Sequence, residues 1–175
     1  MNLCHLLLAF TLLTQNQVFS TSTESPLSQE QSYFSTEGEV THKVALPLSI
    51  RQLLERDSFV QETLDSESLP RTSLPDDWTL CSIVHLANER ERDYVVIGQS
   101  FLTGAHATHY WVYRETPQGM RLVLTAFADS LSIGKQKTNG LRNIAAVYYT
   151  AVTDGTIRYT FDGTTYQTKR PPQYR

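Results

Sequence analysis

The chain has 175 residues, with 15 Lys and Arg against 18 Asp and Glu, and two cysteines. This length predicts one ordinary domain, and the small acidic excess argues against a general nucleic-acid-binding protein, which usually carries a basic surplus. Two cysteines are too few for a disulfide scaffold, and no apolar run approaches the roughly 20 residues that span a bilayer as a helix.

The N-terminal segment has the pattern of a secretory signal peptide. The first 20 residues contain no Asp, Glu, Lys or Arg, and residues 6–13 read LLLAFTLL, an apolar run of signal-peptide length. Val18 and Ser20 are suited to cleavage after Ser20, so residues 1–20 are expected to be removed and the protein exported to a periplasmic or extracellular location. The alternatives are a short buried helix and an N-terminal membrane anchor.

Polar sequences flank the expected domain, residues 43–168. Residues 21–42 are rich in Ser, Thr, Gln and Glu and are predicted to form a flexible leader, because they contain too little apolar surface to order themselves. Residues 169–175, KRPPQYR, are predicted to be a solvated basic tail, with a small binding tail as the alternative. Once residues 1–20 are removed, Cys81 is the single cysteine, so no internal disulfide and no membrane span are expected.

The first element of the domain is predicted to be helical. Apolar residues recur at i, i+3 and i+4 from Ile50 to Leu64, which is the spacing of one helix face. The pair Asp57-Ser58 interrupts this stripe. Residues 48–64 therefore form either one helix or two short ones.

From Trp78 onward the apolar residues alternate with period two, which indicates strands. The predicted strands are Trp78–Leu86, Tyr94–Gln99, His109–Arg114, Met120–Ala126, Leu131–Ile133, Asn143–Val152, Thr156–Phe161 and Thr165–Thr168. Asn139-Gly140 and Asp154-Gly155 favour tight hairpin turns. The predicted fold class is α+β: a mainly antiparallel β meander or half-barrel with an N-terminal helical segment.

Tyrosines are concentrated among these strands. Seven of the nine lie between Tyr94 and Tyr166. They either fill the core and pair across strands, or present an aromatic binding face, because tyrosine combines a large apolar area with a polar tip. The candidate binding residues are Tyr110, Tyr113, Tyr148 and Tyr159.

Histidines raise the question of a zinc site. His106 and His109 form an H-x-x-H pair, which could chelate zinc only as part of a loop. On a continuous strand, Cys81 and His85 lie roughly 13 Å apart and cannot share one ion. The alternative to a zinc site is that one histidine of the pair is an ordinary loop residue and that the other is partly buried near an aromatic strand.

The segment that starts at His85 resembles the calcium loop of FG-GAP-like repeats. Those loops carry acidic or amide residues at positions one, three, five and nine of a D-x-N-x-D-G-x-x-D pattern, which here fall on His85, Ala87, Glu89 and Asp93. The resemblance implies a calcium site with Glu89 and Asp93 among its ligands, and the alternative is a solvated charged loop with local ion pairs. The candidate metal ligands are then His85, Glu89, Asp93, His106 and His109.

Further motifs are similar to those of small exported bacterial proteins of unknown function. A G-A-N…F-W-V-F-R segment, a T-x-x-N-G-x-R-D turn and a terminal F-D-G-x-x-Y recur in that group. This chain has Gly104-Ala105 before HYWVYR at 109–114, TNGLRN at 138–143 and FDGTTY at 161–166, with Asn143 in place of the usual Asp. The match spans residues 78–166 and involves turn and core residues, so it implies an architecture rather than an activity.

No catalytic set stands out in the sequence. It lacks a G-x-S-x-G serine motif, a phosphate-binding loop and a dinucleotide fingerprint. Cys81 could be paired with His85 or His109 as a dyad, but it lies in an apolar run where a core thiol is the usual finding. We therefore expect no enzyme activity and no cofactor.

These observations predict an exported, monomeric, non-enzymatic domain that binds a macromolecule or glycan in the cell envelope. An inhibitor, an immunity protein and an adhesion module all belong to this class. The alternatives are a metal-dependent hydrolase that uses His106 and His109, and a structural envelope protein without a ligand.

Overall fold

Two antiparallel β-sheets and two short helices form the part of the chain that the structure describes, residues 31–149 and 154–168 of a computed structural model. In chain order the elements are β1 (Tyr33–Ser35), β2 (Lys43–Val44), α1 (Leu48–Leu54), α2 (Ser58–Ser66), β3 (Thr79–Val84), β4 (Asp93–Gly98), β5 (Thr108–Thr116), β6 (Gly119–Ala128), β7 (Ser130–Thr138), β8 (Leu141–Tyr149), β9 (Asp154–Phe161) and β10 (Tyr166–Thr168). Short 3₁₀ turns occupy Asp76–Trp78 and Ser100–Leu102. The expected signal peptide and basic tail lie outside the described residues.

Each sheet has five strands. Sheet I has the order β2-β3-β4-β5-β6, and sheet II has the order β1-β7-β8-β9-β10. The chain passes from sheet I to sheet II at Asp129, between β6 and β7. The antiparallel prediction is confirmed, but the strands divide between two sheets instead of forming one meander.

Sheet I is the middle of three layers. Val95 and Ile97 pack in a core cluster with Leu131 and Ile144 of sheet II, whereas Val96 packs in a second cluster with residues of α1 and α2. All six residues of β4 are buried, because both faces of the strand are covered. A strand covered on both faces loses the alternation in burial that a half-buried strand shows.

The helical layer follows the apolar stripe seen in the sequence. Ile50 and Leu54 of α1 and Val60 and Leu64 of α2 are fully buried. The chain breaks between the helices at Asp57, whose side chain accepts hydrogen bonds from the first amides of α2 and so acts as its N-cap. Within the described residues, no helix is long and apolar enough to cross a membrane.

All eight predicted strands are present, with shifted ends. The turn prediction at Asn139-Gly140 is confirmed: both residues have positive φ, 49° and 85°, as a type I′ hairpin turn requires. The turn prediction at Asp154-Gly155 is wrong, because these residues lie inside β9 and pair with Tyr149 and Tyr148.

The leader prediction needs a correction as well. Residues 33–35, inside the expected flexible segment 21–42, form β1 and pair with Ser130–Ser132 of β7. Phe34 is 1% exposed and belongs to the core between the sheets. The folded part of the chain therefore begins at least ten residues earlier than expected, and residues 21–30 lie outside the described part.

Candidate functional site

A groove of about 720 Å³ opens beside the edge of sheet II formed by β1, β7 and β8. Its walls come from four places in the chain: β1 and the turn after it, the loop before β5, the β6–β7 junction, and the end of β8. Among the described residues, its lining consists of Tyr33, Ser35, Thr36, Glu37, Ala105, His106, Asp129, Ser130 and Tyr149.

Two tyrosines stand at opposite ends of the groove. Tyr33 is 55% exposed and Tyr149 is 58% exposed. Tyr33 pairs with Ser132 of β7, which pairs with Ala145 of β8, so these three side chains are on the same face of sheet II. Tyr149 lies four residues after Ala145 in β8, and since side chains alternate along a strand, it is on that face as well. Two strand spacings and four residues place their Cα atoms about 16 Å apart.

The floor between the tyrosines is made of small polar residues. Ser35 and Ser130 are paired across β1 and β7 and lie on the same face as Tyr33. Ser130 is buried. The strands hold Ser35 and Ser130 in fixed positions, so this part of the groove is rigidly placed.

Asp129 is the buried acid of the groove, with 9% of its surface exposed. Its carboxylate Oδ2 accepts a hydrogen bond from the Tyr149 amide at 2.8 Å, and its backbone carbonyl accepts one from the Tyr110 hydroxyl at 3.3 Å. Among the described residues, none donates a hydrogen bond to Oδ1. Within the described part of the chain, Oδ1 therefore keeps acceptor positions for a ligand, while the residue as a whole is nine-tenths buried.

The groove carries a negative charge. Asp129 and Glu37 are the acidic residues of its lining, and the described lining residues include no Lys or Arg. A cationic or neutral ligand is favoured over an anionic one.

A second cavity of about 250 Å³ adjoins the groove and shares Thr36, Ala105 and His106 with it. Gly98 and Ser100 line its other side, and Ser100 has a φ of 51°, which is uncommon for a residue other than glycine. The two cavities together give the site room for an extended ligand.

The structure places two of the four predicted binding tyrosines in the core. Tyr110 is fully buried and Tyr113 nearly so, and burial raises the pKa of both hydroxyls above the usual value. Neither side chain can reach a ligand at the surface, because the second sheet covers one and the helical layer covers the other. For these two residues the prediction of a binding face is corrected.

Tyr148 and Tyr159 are not among the described residues that line the groove. Both are half-buried against the core between the sheets, and their hydroxyl oxygens lie 3.2 Å apart. Their part in binding stays a prediction. The tyrosines that line the groove are Tyr33 and Tyr149 instead. The sequence does contain a signal for Tyr149: adjacent strand residues point to opposite faces, so if Tyr148 faces the core, Tyr149 faces outward.

The structure separates the two histidines of the H-x-x-H pair. His106 lines the groove, whereas the ring of His109 stacks on Phe59 with centroids 3.7 Å apart, and burial lowers the pKa of His109. In the described ranges, no three His, Cys, Asp or Glu side chains gather in an arrangement that could hold a metal ion.

The loop that resembles a calcium site is closed by its own hydrogen bonds. Asp93 Oδ2 accepts the Leu86 amide at 2.8 Å, and the Arg114 guanidinium pairs with Glu91 at 2.7 Å. Glu89 is exposed, and the Nδ1 atom of His85 lies 2.7 Å from the Glu91 carbonyl oxygen. Among the described residues, the candidate ligands His85, Glu89 and Asp93 therefore do not form a group that could hold a metal ion.

Cys81 is a buried thiol in the cluster beneath the helices. Burial raises its pKa to about 12, so the thiol is protonated at neutral pH. Because the thiolate is the reactive form, this environment does not activate Cys81 as a nucleophile.

Comparison of the chain with protein-family models, with curated proteins and with solved structures found no match. What the protein does is therefore inferred from its own fold and groove.

Proposed function

We propose that this chain is an exported, non-enzymatic binding domain that holds an extended segment of an envelope macromolecule, protein or glycan, between Tyr33 and Tyr149. The observation that carries the proposal is the pair of exposed tyrosines on one face of sheet II, at the two ends of the groove. Large exposed aromatic side chains of this kind supply most of the binding energy in many interfaces.

The dimensions of the groove support binding of a ligand chain. Its volume of about 720 Å³ falls within the range of ligand-binding clefts. The tyrosine rings offer apolar faces with polar tips, while Ser130 and Asp129 supply hydrogen-bonding groups between them. This combination suits a polymer that is polar along its length and has apolar faces.

The remaining parts of the proposal concern class and location. Two helices packed on one face of an antiparallel sheet support the α+β class, and the apolar segment at residues 6–13 supports export. We propose that the domain acts as a monomer. N-terminal sequencing of protein recovered from the producing cell's envelope and medium tests export, with Thr21 as the expected first residue.

The binding function is tested by retention of the purified protein on immobilised envelope polysaccharides and on solubilised envelope proteins. The variants are Tyr33→Ala, Tyr149→Ala and the double variant. The double variant is expected to lose about tenfold or more in apparent affinity, because each tyrosine is placed as an anchor. The control is Leu48→Ala, a large exposed apolar residue at the start of α1 and outside the described lining of both cavities, which should bind like the wild type. Unchanged retention by the folded double variant would refute the proposal.

A further inference from the structure

We infer that the groove is a lysine site: it takes an extended peptide segment and seats one lysine ammonium group on the Asp129 carboxylate. This inference rests on the proposed binding function and names the ligand of the same groove. It follows from the charge of the groove, the depth of Asp129 and the hydrogen bond that Asp129 already makes.

The charge of the groove selects the sign of the ligand. Asp129 and Glu37 belong to its lining, and the described lining residues hold no Lys or Arg to balance them. Glu37 is exposed at the rim, where it attracts a cation before contact, and Asp129 lies deeper. A cleft lined by one sign of charge concentrates ligands of the opposite sign.

The depth of Asp129 selects the shape of the cation. With 9% of its surface exposed, Asp129 favours a charge carried at the end of a narrow stem. A lysine side chain carries its ammonium on four methylene groups, whereas an amino group fixed on a sugar ring brings the whole ring with it. A peptide lysine therefore fits better than an amino sugar.

The hydrogen bond from the Tyr149 amide to Oδ2 selects lysine over arginine. That bond, at 2.8 Å, occupies one side of the carboxylate and leaves Oδ1 without a donor among the described residues. A guanidinium group binds carboxylates best by two parallel hydrogen bonds to both oxygens. An ammonium group is a point charge that needs one oxygen.

The tyrosines match the rest of such a ligand. The methylene stem of a lysine packs on aromatic surface, and its ammonium gains from lying near a tyrosine ring face. The separation of about 16 Å between Tyr33 and Tyr149 corresponds to about five residues of an extended chain. Because Asp129 accepts the Tyr149 amide and lies three residues from the level of Tyr33, a lysine seated on Asp129 would lie at the Tyr149 end of the peptide, and about three further residues would reach Tyr33.

The test is a calorimetric titration of the full chain with three seven-residue Gly/Ser peptides, whose central residue is lysine, ε-acetyl-lysine or arginine. The lysine peptide is expected to bind about tenfold more tightly than the acetylated one, the factor of one charge-assisted hydrogen bond, and more tightly than the arginine peptide. Its affinity should fall as salt is raised, because exposed charges such as Glu37 are screened.

The Asp129→Asn variant removes the charge and keeps an oxygen that can accept the Tyr149 amide. It is expected to bind the lysine and acetyl-lysine peptides equally. Glu62→Gln, an exposed helix residue outside the groove, removes the same net charge and should leave the preference intact. A fluorescence thermal melt of each variant shows that it is folded.

The outcomes separate this inference from the binding function on which it rests. If Tyr33→Ala weakens peptide binding but acetylation of the lysine does not, the lysine site is refuted and the binding function stands. The lysine site is also refuted, and the binding function kept, if a glucosamine trimer binds more tightly than the lysine peptide. If no ligand responds to Tyr33→Ala or Tyr149→Ala, both proposals fail.

Discussion

At the level of single residues, Asp57 connects the helical layer to the sheet beneath it. Its Oδ1 atom accepts the amides of Phe59 and Val60 at 3.0 and 3.3 Å, and its Oδ2 atom accepts the indole N–H of Trp111 at 3.2 Å. One carboxylate therefore caps α2 and satisfies a buried donor of β5. In the sequence the same residue is visible only as an interruption of the apolar stripe, because the partner indole lies 54 residues away.

The replacement of Asp57 by alanine is expected to lower the free energy of unfolding by about 2–4 kcal/mol, from the loss of a helix cap and the loss of the acceptor for a buried indole N–H. Asp57→Asn keeps the cap oxygen but turns an amide donor toward Trp111, so we expect a stability between those of wild type and the alanine variant. Urea unfolding measures both. A loss below about 0.5 kcal/mol in the alanine variant would contradict these two roles of Asp57.

At the level of elements, the connection from β4 to β5 depends on close backbone packing at Gly98. A Cβ atom at this position would lie 2.8 Å from the Leu102 carbonyl oxygen and 2.9 Å from Thr108 Oγ1. Thr108 Oγ1 donates a hydrogen bond to the Gly98 carbonyl at 2.7 Å. The 3₁₀ turn at Ser100–Leu102 is thereby pressed against the strand ends, and it forms one side of the second cavity.

We expect Gly98→Ala to destabilise the fold by about 1–3 kcal/mol, because the added methyl group forces backbone atoms apart. Gly155→Ala is the matched control, since a Cβ atom there would have no neighbour within 4 Å among the described residues, and the alanine would also reduce the entropy of the unfolded chain. Guanidinium unfolding of both variants tests the difference. Equal effects of the two substitutions would show that the packing around Gly98 adapts freely.

The strands differ in how well they can be recognised from the local sequence pattern. Eight strands carried enough alternation and turn chemistry to be found from sequence. β1 and β2 did not, because they have only three and two residues and no alternating strand beside them in the sequence, whereas the equally short β10 follows β9 after an Asp-Gly turn. β1 exists because Phe34 fills a place in the core and Tyr33–Ser35 pair with β7, about a hundred residues later.

At the level of the whole molecule, the candidate site is a product of strand order. Tyr33, Asp129 and Tyr149 meet because β1, β7 and β8 are neighbours in sheet II, and no local pattern records that order. The burial of Tyr110 and Tyr113 was equally hidden, since both faces of β5 are covered, one by sheet II and the other by the helices. The sequence pattern was enough to locate the strands. Which tyrosines are in the core and which are on the surface depends on how the two sheets and the helices stack, and the pattern does not record that.

The layered packing also places a carboxyl group where water does not reach. Asp93, at the start of β4, is 0% exposed, and its Oδ1 atom lies 3.9 Å from Arg114 Nε without a hydrogen bond among the described residues. Burial raises the pKa of Asp93 to about 6, although the Leu86 amide and Arg114 partly oppose this rise. The folded protein therefore holds this proton more tightly than the unfolded chain does.

Asp93 is expected to make its own contribution to the pH dependence of stability. Because the pKa of Asp93 is raised on folding, its protonated form contributes stability below about pH 4 that is lost as the pH rises through about 6; a rise of about two units corresponds to about 3 kcal/mol. In Asp93→Asn this dependence is absent, while the side-chain oxygen can still accept the Leu86 amide. The free energy of unfolding of the wild type, measured relative to that of the variant by urea titration from pH 4 to pH 7, should fall by about 3 kcal/mol.

A difference that stays constant or rises with pH would mean that Arg114 holds Asp93 ionised in the folded state. The exposed carboxylate Glu62 provides the control, because Glu62→Gln should change this pH profile little.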